Sequence, residues 1–258
     1  MMNHVVRTSF CAAIAVLIAC GYATAGQKAP QAAGERSPYA ICRHTTVPVV
    51  VDGKLDDAAW KNAFVYPVGL GKDRVMSRVT LQEPGEAMLC WDDENLYVGV
   101  RFTDSDVCTE AKEDQGHFYG QGDVLEFFIK GPADPQYWEL YAAPNGKKTT
   151  FWYPSRGRLL PGCFTTDTKS DLRVGATVEG TLNNFEDRDI AWSAEMAIPL
   201  KTLATRGNVF APGQPWKILV ARYNYSRYLQ GTELSMFPKL ATTNYHLQED
   251  YAILKIEK

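Results

Sequence analysis

The chain has 258 residues, 45% of them hydrophobic and 22% charged, with a formal net charge of −3. That length suits one large all-β domain or two small ones, and about 70–75% of the unfolded surface can be buried at this size, so a core needs no metal or disulfide staple. The weak negative balance offers no basic field to a phosphate backbone, which argues against nucleic acid as a partner.

The first predicted element is a leader and not part of the fold. Arg7 precedes an apolar run, Phe10 to Cys20 (FCAAIAVLIAC), too short for a bilayer span of about 20 residues but suited to a signal-peptide core. Two processing sites compete. Ala23-Thr24-Ala25 is an A-x-A site with cleavage after Ala25, whereas Leu17-Ile18-Ala19-Cys20 resembles a bacterial lipobox, with cleavage after Ala19 and Cys20 lipidated. Residues 1–25 are read as signal peptide, 26–38 as a flexible Ala/Gly/Gln/Pro-rich linker, and 39–258 as the domain. The expected location is periplasmic, outer-membrane lipoprotein or extracellular, with membrane contact only through a lipid anchor. Export leaves Cys42, Cys90, Cys108 and Cys163 in an oxidising compartment, where up to two disulfides are expected, in any of three pairings.

From Tyr39 onward the period is mostly two. Leu96, Val98, Val100 and Phe102 alternate with Tyr97, Gly99, Arg101 and Thr103, the pattern of a half-buried strand. Further strands are predicted at 47–51, 77–82, 87–91, 123–130, 137–143, 147–153, 172–179, 190–198, 216–225 and 251–256, with turn residues such as Asp52-Gly53, Pro84-Gly85 and Pro144-Asn145-Gly146 between them. Helix signals are confined to Asp56–Ala63 and Pro199–Leu203. Many strands without βα alternation predict an all-β fold, a two-sheet antiparallel β-sandwich of jelly-roll type with one or two short helices.

No catalytic constellation stands out. Asp123 and Glu126 lie three apart in one strand and so point to opposite faces. There is no G-x-S-x-G elbow, and the histidines of the domain (His44, His117, His246) sit in unrelated contexts. The acidic loops Asp92-Asp93-Glu94-Asn95 and Asp104-Ser105-Asp106 are candidate calcium ligands without EF-hand spacing. Met236 and His246 are formal haem ligands that no motif marks.

The aromatics say more. A sugar ring has apolar C–H faces ringed by hydroxyls, so it stacks on exposed Trp or Tyr beside orienting polar groups. Aromatics cluster with such groups at His117-Phe118-Tyr119, Phe151-Trp152-Tyr153 with Arg156, Tyr223-Asn224-Tyr225 with Arg227 and Tyr228, and Asn244-Tyr245-His246. Trp60, Trp192 and Trp216 are assigned to the core.

Six segments occur in an order that resembles family 9 carbohydrate-binding modules: VDGKLDDAAWKNA (51–63), LCWDDENLYVGVRFTDSDV (89–107), GDVLEFFIKG (122–131), YWELYAAPNG (137–146), WSAEMAIPLKTL (192–203) and HLQEDYAIL (246–254). The resemblance implies a β-sandwich that binds glycans without catalysis, an association with glycoside hydrolases in polysaccharide breakdown, and in some members calcium. Members hold a sugar between two tryptophans, with a glutamate, an arginine and asparagines on its hydroxyls. Glu126 matches the glutamate. Tyr119, beside Gly120, and Tyr245 stand where the tryptophans would be; Tyr141 falls at the arginine position and Ala143 at an asparagine position. The closing stretch Leu247–Ala252 departs from the proline and Phe-Gly of relatives. The candidate carbohydrate-binding residues are therefore Tyr119, Glu126, Tyr141, Trp152, Arg156 and Tyr245. The alternatives are a hydrolase of O-glycosyl bonds with unidentified carboxylates, or a haem-binding electron-transfer relative.

Overall fold

The computed structural model describes residues 27–28, 38–132, 135–156 and 170–258. The predicted leader, the lipidation site Cys20, most of the linker and Cys163 lie outside the described residues.

In chain order the strands are β1 (Gln27–Lys28), β2 (Tyr39–His44), β3 (Phe64–Pro67), β4 (Gly85–Trp91), β5 (Asn95–Thr103), β6 (Val124–Lys130), β7 (Tyr137–Ala142), β8 (Lys148–Tyr153), β9 (Arg173–Glu179), β10 (Ala191–Pro199), β11 (Trp216–Asn224), β12 (Glu233–Phe237) and β13 (Ala252–Glu257). Two short helices, α1 (Lys72–Met76) and α2 (Leu200–Ala204), join three 3-10 turns at Trp60–Asn62, Phe118–Gly120 and Gln248–Asp250. The chain is thus all-β.

The strands form one hydrogen-bonded sheet in the order β8-β7-β6-β11-β13-β2-β4-β5-β10-β9, with β12 on β11 and β3 on β4. It curls into a nearly closed, barrel-like sandwich with two wings, β8-β7-β6-β11-β12 and β3-β4-β5-β10-β9, joined through β13 and β2. Both wings contribute to one core, in which Leu125, Phe127, Leu140, Trp216 and Ile218 share a cluster with Leu89, Val98, Phe102, Trp192 and Met196. Two features correct the sequence reading. The sheets are not separate, and they are not wholly antiparallel, because β2 runs parallel to both β13 and β4.

Strand β5 also differs from its expected half-burial. Tyr97 on its outer face belongs to a second cluster with Val49, Trp60 and Met88, so the segment before β3 covers that face. The predicted strands at 47–51 and 77–82 do not form. Pro48 removes a ladder donor from the first, and Arg78 turns to φ 61° just after α1 in the second. Cys42, Cys90 and Cys108 are free thiols. Cys42 faces the main core whereas Cys90 faces the outer cluster, so the sheet itself separates the two.

Candidate functional site

Period-two alternation in β6, β7, β8 and β11 divides their side chains between the core and an outer face. Leu125, Phe127, Trp138, Leu140 and Val220 point inward. Val124, Phe128, Tyr137, Tyr141, Phe151, Tyr153, Leu219 and Ala221 point outward. Cross-strand register then places polar groups among these outer aromatics. Glu126 is paired with Tyr141 on β7 and Ala221 on β11, and Phe128 with Glu139. Glu126 and Glu139 are therefore diagonal neighbours on one face.

Two loops wall this face into a pocket of about 320 Å³ that includes His117, Tyr119, Glu126, Glu139, Tyr141, Tyr153, Tyr223, Asn244 and Tyr245 in its lining. The first wall runs from Ala111 to Gln121. Asn145 Nδ2 donates to Ala111 O at 2.7 Å and Thr149 Oγ1 to Gly116 O at 2.7 Å, while the Tyr225 hydroxyl donates to Tyr119 O. His117 stacks on Phe151 with centroids 4.8 Å apart. The second wall runs from Thr243 to His246. Asp73 accepts from Thr243 N at 3.0 Å, Tyr251 donates its hydroxyl to Tyr245 O at 2.6 Å, and the Tyr137 hydroxyl meets His246 Nδ1 at 2.8 Å. A larger groove of about 730 Å³ adjoins the pocket, sharing Leu234 and Thr243 with it.

The two carboxyls are the chemical centre. Glu126 is 2% exposed, and its Oε1 has no hydrogen-bond partner. Burial pushes its pKa well above the ordinary carboxyl value, and the nearby charge of Glu139 adds to this. Burial also lifts Glu139, to about 7, against the opposing pull of the Tyr141 and Tyr153 hydroxyls. The Tyr141 hydroxyl donates to Glu139 and also lies within hydrogen-bonding reach of Glu126. His246 is pushed the other way, chiefly by burial and then by Arg156.

Of the six residues selected from sequence, Tyr119, Glu126, Tyr141 and Tyr245 line this pocket. Tyr119 stands at the mouth, 44% exposed. Tyr245 does not face it across an open slot. Its side chain is buried, its hydroxyl donates to Arg222 O at 2.7 Å, and Tyr223 bridges the two rings with centroids 6.0 Å from Tyr119 and 5.4 Å from Tyr245. Trp152 is on the other side of the sheet. It pairs with Trp138 in the core-facing row, under the Arg206 guanidinium. Arg156 is outside the pocket lining, in an ion pair with Glu249.

Glu139 escaped sequence reasoning, although a carboxylate in the same alternating row as Tyr137 and Tyr141 was the clue. The acidic loops do not suit calcium, because protein donors already occupy them. Asp92 accepts from Glu94 N, Asn95 N and the Tyr97 hydroxyl, Asp104 pairs with Arg222 at 2.9 Å, and Asp106 pairs with Arg227 at 3.0 Å. Met236 is buried in the outer aromatic cluster, and His246 is engaged by Tyr137, so neither is offered to haem.

Residues 51–213, more than half of the chain, match the family described as carbohydrate family 9 binding domain-like. The chain belongs to this family. Among solved structures this family 9 chain is similar to a Bacteroides uniformis ATCC 8492 protein assigned as carbohydrate-binding, with 12% identity, a TM-score of 0.63 and coverage of 85% of this chain and 99% of that one. It is also similar to a family 9 module from Caldicellulosiruptor kristjanssonii in complex with cellotriose, at 16% identity and a TM-score of 0.56, covering 85% and 93% of the two chains. A family 9 module from the same organism in complex with glucose gives 17% identity, a TM-score of 0.50 and coverage of 84% and 95%. At these identities the likeness is one of fold. No curated protein matches the chain. The family match ends before Tyr223 and the Thr243–His246 wall, so half of the pocket is contributed by chain beyond it.

Proposed function

We propose that this chain binds a glycan, without catalysis, in the pocket between the Tyr119 and Tyr245 walls. The observation that supports this best is the pairing of an exposed Tyr119 ring at the mouth with an unpartnered, buried Glu126 Oε1 on the floor. A sugar ring laid on Tyr119 directs its hydroxyls at Glu126, Glu139 and Tyr141, which supply the acceptors it loses from water. Membership of family 9 and likeness to sugar-bound family 9 modules favour the same reading. The apolar run before residue 25 favours export, and the family favours service beside a glycoside hydrolase in polysaccharide breakdown.

Calorimetric titration with neutral and charged oligosaccharides tests the proposal. The expected Kd is roughly micromolar to millimolar. Tyr119→Ala removes an exposed ring without opening the core and should weaken binding about tenfold, in line with aromatic contacts of about 0.5–1.5 kcal/mol. A folded protein that gives only dilution heat with every oligosaccharide would overturn the reading.

The Glu126–Glu139 pair also brings hydrolysis into view, because perturbed carboxyls in a pocket are what glycosidases use. Both rise from adjacent strands on one floor, whereas hydrolysis needs carboxyls flanking the scissile bond, and holding is the better fit. Reducing-sugar release that disappears in Glu126→Gln would establish the hydrolase instead.

A further inference from the structure

The pocket is unbalanced in charge. Among the described residues its lining contains two carboxyls, Glu126 and Glu139, two histidines, His117 and His246, and no lysine or arginine. Among the described residues, the guanidiniums close by are committed elsewhere. Arg222 reaches toward the opposite wing, to Asp104 at 2.9 Å and to the carbonyls of Glu83 and Thr103, while Arg156 is paired with Glu249. His246 is engaged by the Tyr137 hydroxyl at 2.8 Å, and burial lowers its affinity for a proton.

Around the two carboxyls stand five tyrosine rings, of residues 119, 141, 153, 223 and 245. Ring faces carry the negative lobe of the aromatic quadrupole and attract cations, the more so where water is excluded. A neutral hydroxyl can satisfy Glu126 Oε1 but brings no counter-charge. An acidic or sulfated sugar would add a negative group beside two carboxyls and oppose their ionisation. A protonated amine brings three donors and the missing positive charge to the same spot.

We propose that the pocket selects a sugar carrying a protonated amine, a hexosamine unit with its amino group unacylated, over neutral, N-acetylated and acidic sugars. The inference rests on the glycan-binding reading above and names its ligand class. It also has a signature of its own. Burial raises the affinity of both carboxyls for a proton, and an arriving ammonium favours their ionised forms, so binding should release protons wherever the carboxyls are protonated beforehand.

The test is calorimetry on the folded protein at a pH where the amine is protonated, using tetramers of glucosamine, N-acetylglucosamine, glucose and galacturonic acid. The glucosamine tetramer should bind at least about tenfold tighter than the other three, a gap of about 1.4 kcal/mol. Its heat should also vary between buffers of different ionisation enthalpy as protons are released. Glu126→Gln and Glu139→Gln should each shrink the glucosamine-to-glucose affinity ratio toward one. Equal or tighter binding of the glucose tetramer would overturn the amine preference and leave glycan binding standing. A ratio unmoved by both substitutions would overturn the assignment to this pocket. A folded protein that binds none of the four would overturn both readings.

Discussion

Glu139 holds its proton more tightly in the folded chain than in the unfolded one, since burial lifts its pKa from 4.5 to about 7. Across that window the unfolded chain gives up the proton while the folded chain keeps it. This group therefore costs stability increasingly as pH rises from 4.5 to 7, and the cost is complete above 7. Glu126 acts in the same sense. His246, lowered by burial, acts in the opposite one, adding stability as pH climbs through its lowered value toward 6.5. A difference between variants isolates the first contribution. The melting temperature of Glu139→Gln minus that of the parent should be near zero at pH 4.5 and rise to on the order of 5 °C by pH 8, followed by thermal melts at each pH. A flat difference would mean that Glu139 is solvated. Glu126 was legible in the chain because a motif surrounds it. Glu139 was not, because its partner in the pocket lies on another strand and only register brings the two together.

At the level of elements, β9 rests against the chain just before the first 3-10 turn, backbone to backbone. A Cβ on Gly175 would lie 2.6 Å from Asp52 Cα, and one on Gly53, at φ +87°, 2.5 Å from Ala176 Cα. Glu195 on β10 pins the same segment, its carboxylate accepting from Gly53 N at 2.8 Å and Trp60 Nε1 at 2.7 Å. Gly175→Ala should cost about 1–3 kcal/mol through overpacking and hasten proteolysis between residues 45 and 63, both measurable by denaturant melts and limited digestion. Long strands with a clean period, such as β6, β10 and β11, were predicted within a residue or two of their observed ends. The strands β3 and β12, of four and five residues, and the five-residue α1 were missed, because so few residues hold too few repeats to reveal a period and take their structure from neighbours; the six-residue β2 was missed as well.

For the molecule as a whole, Arg222 is the tie between the wings. It leaves β11, crosses to the end of β5 and is fully buried there among Asp104, Glu83 and Thr103. Arg222→Met should cost about 3–5 kcal/mol by stranding Asp104 without a counter-charge, lowering the melting temperature by roughly 10 °C. Loss of this tie should also loosen the pocket, since Arg222 O anchors Tyr245. Unchanged melting would mean that water replaces the guanidinium. From its residues alone this chain determined its class, its turns, most of its strands and its family, because alternation and short motifs are local properties. Tertiary structure decided that two wings join through parallel strands into one curled sheet, that Trp152 turns inward, that Tyr223 bridges Tyr119 and Tyr245, and that Glu126 and Glu139 share a floor. Those outcomes depend on pairing between segments far apart in the chain, and on which face of a strand another layer covers, neither of which a local pattern contains.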